Sequence, residues 1–280
     1  MQDVLSSIVG PERSSRLAHQ LRILRVLARM DYKLKYADSA LGYIWSLAKP
    51  MALFLVLYAV FGRFMKLGAG FHGYPIYLLT GIVLWTFFID ATTTTLTSLV
   101  ARGSLLRRLA FPRLVIPISM TLTSTMTFAV NLIPLVFFIA WTRLIPRLTW
   151  LLLLPLLVEL YVFTLGVALI LATLFVRFRD TGQLWELLGQ LLFYATPIII
   201  PVGFLPPWSQ PIIFLNPFVQ IMQDIRGILV YTLPGSATIN AADRLGAVGG
   251  RIAPILVAFL TLAVGLYLFR RESPWFAERV

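Results

Sequence analysis

Two carboxylic acids set inside long apolar runs are the residues best placed to do chemistry. In the run Leu67–Ala101 His72 and Asp90 are the only histidine or charged residues, and in Leu148–Val176 Glu159 is the only one. A carboxylate at membrane depth is costly and by default marks an ion or proton pathway. The competing reading makes each acid the structural partner of a basic side chain or a helix end. A proton relay generally needs more than one acid per span, and neither acid has an intramembrane histidine near it in sequence. Other chemistry is excluded more simply. There are no cysteines and two histidines, so thiolate catalysis, disulfides, cysteine metal sites and an HExxH motif are all absent from this sequence. No glycine is followed by lysine, which removes the G-x-x-x-x-G-K-[ST] phosphate loop. With no nucleophile triad either, an enzyme is not expected, and any ATP must be bound by another chain.

A second candidate is the stretch Arg102–Arg113, which carries Arg102, Arg107, Arg108 and Arg113 between two apolar runs. Leu105, Leu106 and Leu109 can share one face of a short helix while Arg107 and Arg108 point away. That helix stops at Phe111-Pro112, because the residue before a proline is pushed out of the helical region. Two readings stand: a topogenic loop whose arginines contact lipid phosphate, or a docking element for another protein. Both place it in the cytoplasm.

The hydroxyl-rich runs Thr92–Ser98 and Thr121–Thr127 also read two ways. Small hydroxylated residues let helices approach and bond to one another. Alternatively the hydroxyls line a wet path with the aromatic rings of Trp85, Phe87, Phe88, Phe193 and Tyr194, although rings near span ends are also ordinary interface anchors.

The elements that must position these residues follow from composition. Hydrophobic residues make up 59% and charged residues 13%, against roughly a quarter charged in a soluble domain, so the chain is expected to be an all-α integral membrane protein. Six spans are predicted: Tyr43–Phe61, Tyr74–Val100, Leu114–Trp141, Leu148–Val176, Leu184–Ile200 and Ile252–Phe269. Leu187–Gln223 is uncharged but interrupted by Pro197, Pro201, Pro206, Pro207, Pro211 and Pro217. A straight helix cannot hold that many prolines, so short re-entrant pieces are predicted before the last span. No cleavable signal peptide is expected. Between His19 and Met30, the residues Leu21, Ile23, Leu24, Leu27 and Met30 form one arc and Arg22, Arg25 and Arg29 the other. That pattern predicts an amphipathic helix in the membrane interface, or one packed on the protein's own cytoplasmic surface.

With both termini inside, 17 of the 24 lysines and arginines fall in the cytoplasmic segments 1–49, 101–113, 177–183 and 270–280. Membrane topology therefore accounts for the net charge of +12 without nucleic acid. The expected organisation is a single domain over 1–280: an N-terminal cytoplasmic or interfacial segment at 1–42, the span bundle at 43–271 and a cytoplasmic tail at 272–280.

Several motifs, in order, carry a resemblance. They are Ser39-x-Leu41-Gly42-x-x-Trp45 with Pro50; Phe111-Pro112-Arg113 with Pro117; Arg179-Asp180, then Gln190, then Thr196-Pro197-Ile198-Ile199-Ile200-Pro201; and Asn216-Pro217 with Arg226. The chain resembles the membrane subunits of ABC-2 type transporters that export lipid-linked polysaccharides such as O-antigen, capsule, teichoic acid or galactan. One departure is Thr196, where many members carry serine. The resemblance implies a homodimer in the bacterial cytoplasmic (inner) membrane, driven by two separate nucleotide-binding subunits that hold ATP and Mg, with no cofactor in this chain. It implies a coupling helix with Leu105, Leu106, Arg107, Arg108, Phe111, Pro112 and Arg113 at the ATPase. It makes the N-terminal helix with Arg22, Arg25 and Arg29 an interface or gate helix, and gives Trp85, Phe88 and Tyr194 a place on the glycan path. The residues leave two alternatives open: an ABC-2 exporter of a drug or haem, and a gradient-driven carrier using Asp90 or Glu159.

Overall fold

The computed structural model describes residues 13–37, 44–67, 73–103, 112–145, 147–230, 239 and 241–276. Among them the regular structure is helical throughout: α1 (Arg13–Ala37), α2 (Ile44–Leu57), α3 (Tyr74–Ala101), α4 (Val115–Trp141), α5 (Leu153–Arg177), α6 (Thr181–Ala195), the single turn α7 (Gln210–Ile213), α8 (Pro217–Val230) and α9 (Ala241–Glu272). Helix is what such apolar runs must form, since in hydrocarbon each backbone N–H and C=O has to be satisfied within the segment. α2 runs on through a π-helical stretch Tyr58–Phe64, and α5 is preceded by a 3-10 turn Leu148–Leu152. α9 is broken at Gly246, whose φ of +78° is reached without strain only by glycine. Two turns, after α2 and after α4, pass through Lys66 and Arg143, each with a φ of 53°.

The helix α3 is the hub. In its most apolar stretch 78% of residues are buried inside the protein, against 11–39% for the other long apolar helices. It packs on α2, α4, α5, α6 and α8. Its threonines divide by helix face. Thr92 and Thr95 are buried, and Thr94 lies 3.4 Å from Ser124 of α4 across the helix pair. Thr93 and Thr97 are exposed. Most of the hydroxyls bond back to their own helix, as Thr80 does to Ile76 O (2.7 Å) and Thr92 to Phe88 O (2.7 Å), so the inward part of the run serves close packing.

α5 and α9 are joined by backbone contact. A Cβ on Gly166 would sit 2.6 Å from Leu262 N, and one on Gly265 would sit 2.6 Å from Gly166 O. Leu99 of α3, Ile116 of α4, Val176 of α5 and Phe269 of α9 share one apolar cluster with Phe276. The end of α3, the start of α4, Arg177 and the end of α9 therefore lie at the same end of the bundle.

Among the described residues, five helical segments are long and apolar enough to cross a membrane: Ile44–Phe64, Tyr74–Ala101, Val115–Trp141, Leu148–Arg177 and Ile252–Trp275. They reproduce five of the six predicted spans. The remaining one is shorter than expected, because the helix stops at Ala195, ahead of Thr196-Pro197. Its 15 residues rise about 22 Å, short of the ~30 Å hydrocarbon core. Yet the segment from Gly182 to Ile199 runs antiparallel to α3 for almost its whole length. Gly182 lies near Leu96, Trp185 Nε1 donates to Thr92 Oγ1 (3.2 Å), Phe193 meets Trp85, and the Tyr77 and Tyr74 hydroxyls donate to Pro197 O (3.0 Å) and Ile199 O (3.2 Å). The chain then turns back. Phe218, near the start of α8, packs on Trp85 and Phe88 in the middle of α3, and Arg226 reaches Tyr77 near its start.

Candidate translocation groove

A cleft of about 920 Å³ lies between α3 and α6, closed on one side by Leu53 of α2 and Phe175 of α5. Sequence alone explains why α6 is a wall rather than a core helix. Trp185, Gly189 and Phe193 recur every four residues and are buried against α3. Gly189 permits that approach, since a Cβ there would already be 3.1 Å from Ile89 Cδ1. An adjacent face stays open. Gln183, Glu186 and Gln190 share a helical stripe with Tyr194 on that face; all four are exposed and line the cleft. Thr93 and Thr97 look into it from α3.

The three aromatic candidates separate. Trp85 lines the cleft although only 8% exposed, wedged between Phe193 (6.0 Å between centroids) and Phe218 (5.3 Å). Phe88 turns into the core, stacked on Phe163 at 5.8 Å with Trp185 and Phe218 on its edges. Tyr194 is 76% exposed. It borders both the cleft and a smaller cavity of about 160 Å³ toward Phe61, Thr196 and Leu205.

The C-terminal end of α6 is held by Arg226, fully buried on α8. Its Nε donates to Tyr77 O (3.0 Å), Nη1 to Pro197 O (2.7 Å) and Gln223 Oε1 (3.1 Å), and Nη2 to Ile198 O (2.9 Å). Its guanidinium carbon stands 3.5 Å from the centre of the Tyr77 ring. The broken end of α6 leaves carbonyls without helical partners, and one planar cation supplies the donors they need. Gly81 makes room for it, as a Cβ there would meet Nη2 at 2.2 Å.

The intramembrane acids have distinct surroundings. Both carboxylate oxygens of Asp90 accept from Lys35 Nζ of α1 at 2.8 Å, so Asp90 ties the N-terminal helix to the hub. A second ion pair, Arg102 with Asp31, and a hydrogen bond from Thr123 Oγ1 to Ala28 O (3.2 Å) hold α1 against α3 and α4. Glu159 lines a separate cavity of about 390 Å³ between α5, α8 and α9, together with Asp224. Glu186 is a third acid. It falls within the predicted fifth span, where the sequence reading did not count it, and its spacing to Gln183 and Gln190 was the available signal.

On α1, Arg22, Arg25 and Arg29 are exposed as the pattern expects, and Ile23, Leu24 and Leu27 are partly covered with Ala28 buried beside them. Met30, assigned to the apolar arc, is instead 53% exposed. α1 packs mainly along α4, which covers a narrower arc than the pattern drew. Of the proposed coupling segment, Leu105, Leu106, Arg107, Arg108 and Phe111 lie outside the described residues. Pro112 is exposed and Arg113 partly so, just ahead of α4.

A family model for the ABC-2 type transporter matches residues 22–230, from the exposed arginines of α1 to the end of α8. The chain belongs to the ABC-2 type transporter family. The groove, the arginine-rich connection and Arg226 all fall inside the matched region. Two O-antigen export system permease proteins RfbA of Klebsiella pneumoniae are similar, one 30% identical over 215 residues (76% of this chain and 82% of the relative), the other 27% identical over 263 residues (94% and 96%). A protein of the same name from Myxococcus xanthus is 28% identical over 273 residues, 96% of this chain and 99% of its own length. This ABC-2 chain is thus a multi-pass membrane protein similar along its length to export permeases.

Proposed function

We propose that the chain is the membrane subunit of an ATP-driven exporter that carries a lipid-linked polysaccharide across the bacterial cytoplasmic membrane. Two copies would form the path, and two separate ATPase subunits would bind ATP and Mg. The observation that carries the reading is the α3/α6 cleft. It follows α6 from Arg179 to Tyr194, it combines aromatic faces with amide and hydroxyl groups, and it opens sideways so that a second copy can complete its wall. The names of the relatives point to the same cargo class. Glycans present alternating polar and apolar faces, which suits rings such as Trp85 and Tyr194 beside Gln183 and Gln190.

On this reading Gly182–Ile199 makes the fifth of six crossings, α7 and α8 form a re-entrant hairpin from the outer side, and both termini are cytoplasmic within a single 1–280 domain. The parity agrees, since α5 and α9 end at the same face and one return crossing must lie between them. α1 serves as the interface helix beside the path, and the segment Leu105–Arg113 docks on the ATPase. A gradient-driven carrier fits less well, because Asp90 is occupied by Lys35.

Affinity purification of the tagged chain from native membranes tests this. A P-loop ATPase should co-purify, and Arg107→Ala with Arg108→Ala, or Phe111→Asp, should leave ATP hydrolysis running while export falls at least about tenfold, the loss of roughly 1.4 kcal/mol of coupling. Export by the chain alone, without an ATPase, would overturn the proposal.

A further inference from the structure

The charge inside the groove carries a statement about cargo that rests on the export reading and goes beyond it. Among the described residues, the charged side chains lining the cleft are Arg179 and Glu186. Arg179 sits at the cytoplasmic mouth with its guanidinium 5.4 Å from the centre of the Phe175 ring. Glu186 lies two turns further in, about 9 Å from Asp180 along the helix. From Gly189 outward the lining is Gln190, aromatic rings and aliphatic side chains, with no cation. Among the described residues Glu186 has neither an ion pair nor a hydrogen bond from a side chain, so its carboxylate is presented to whatever fills the cleft.

A carboxylate facing a confined path, with low-dielectric walls on three sides, repels anions more strongly than one on an open surface. A polyanionic glycan, with a uronate or phosphodiester in each repeat, would bring a like charge past Glu186 at every step and meet no compensating cation beyond Arg179. In a homodimer the same carboxylate would face the path twice. A neutral glycan meets only hydrogen-bonding amides, hydroxyls and rings. We infer that Glu186 is a specificity-determining residue that restricts the cargo to glycans without net negative charge in their repeat unit.

The test uses proteoliposomes holding the chain with its co-purified ATPase. Two probes of equal length are supplied on polyprenyl diphosphate: a neutral mannan, and a chain carrying one glucuronate per repeat. The neutral probe should be exported at least about fivefold faster, the ratio expected from roughly 1 kcal/mol of repulsion. Glu186→Gln, nearly isosteric and on an exposed face, should bring the two rates to within about twofold, and Glu186→Lys should favour the acidic probe. Equal rates in the unsubstituted protein, or a preference that Glu186→Gln leaves untouched, would overturn the assignment of Glu186 while leaving glycan export standing. If neither probe moves while ATP hydrolysis proceeds, the export reading itself fails, and the filter with it.

Discussion

The contact between Gly81 and Arg226 gives a prediction whose size can be worked out from the structure. A Cβ at position 81 would overlap Arg226 Nη2 at 2.2 Å and crowd Ile198 Cγ2 at 3.2 Å. The end of an arginine is normally the cheapest thing to displace. Here it is fully buried and makes four hydrogen bonds, three of them to backbone carbonyls of α3 and of the turn after α6. Moving the guanidinium far enough to admit a methyl group breaks the bond to Ile198 O and strains that to Pro197 O. At ~1.5–3 kcal/mol for each hydrogen bond to a charged group, Gly81→Ala should cost about 2–4 kcal/mol. Arg226→Met removes all four bonds but keeps an apolar stem. Pro197 O retains the Tyr77 hydroxyl and Tyr77 O its helical partner, so the expected cost is about 3 kcal/mol. The two losses should not add, because once the guanidinium is gone the methyl at 81 has space. In the Arg226→Met background Gly81→Ala should cost under about 1 kcal/mol, a coupling of roughly 2 kcal/mol. The assay is the midpoint temperature at which the purified protein leaves the monodisperse peak on size exclusion, for the four members of the cycle. Additive losses would refute the claim that Gly81 is reserved for this arginine, and an unchanged midpoint for Arg226→Met would refute its role as the clasp.

Gly166→Ala should destabilise by more than about 2 kcal/mol, since the new methyl meets backbone of α9 rather than a side chain that can swing away; Gly246→Ala, with nothing within 4 Å, should cost only about 1 kcal/mol through its positive φ. A double-mutant cycle of Lys35→Met with Asp90→Asn should give a coupling of about 1 kcal/mol that shrinks in high salt, as the pair is about a quarter exposed on each side; a salt-independent value would mean the contact is not electrostatic. Trp85→Ala should lower the folded yield by the equivalent of about 3 kcal/mol, as for other buried aromatic truncations. Tyr194→Ala, on an exposed ring, should slow export at nearly unchanged midpoint temperature, and equal folding losses for both would put Tyr194 in the core.

The helical class and most span limits could be read from sequence because charge-free runs ended at arginines and prolines, and those boundaries are local. What escaped was set by partners far along the chain. Asp90 is paired with Lys35, 55 residues away, and Glu159 shares its cavity with Asp224; no local pattern distinguishes such acids from proton carriers. Trp85, Phe88 and Tyr194 look alike in sequence. Their different fates follow from α8 folding back under the middle of α3, which buries Phe88 in the core and covers all but the cleft edge of Trp85, while Tyr194 lies beyond its reach. The short α6 was legible at Thr196-Pro197, but the long uncharged run around it masked the stop. Glu186 was hidden by the same run: just before its charge-free part, it was absorbed into a span end instead of being placed on a stripe with Gln183 and Gln190.

The distribution of contacts also says which wall of the groove can yield. α3 is buried along its length, and α5 is locked to α9 by glycine-to-backbone contact, so shifting either would disrupt close packing on several sides. α6 meets α3 along a single seam of Trp185, Gly189 and Phe193, while Leu184, Leu187, Leu188 and Leu191 point away from the chain. Its firm attachments are at the two ends: the indole of Trp185 on Thr92, and the carbonyls of residues 197 to 199 under Tyr74, Tyr77 and Arg226. A helix seated along one narrow seam has fewer apolar contacts to lose on shifting than one packed on several sides, each contact worth a fraction of a kcal/mol. Widening the groove by moving α6 should therefore cost less than by moving α3 or α5, with the Arg226 clasp holding the Pro197 end in register.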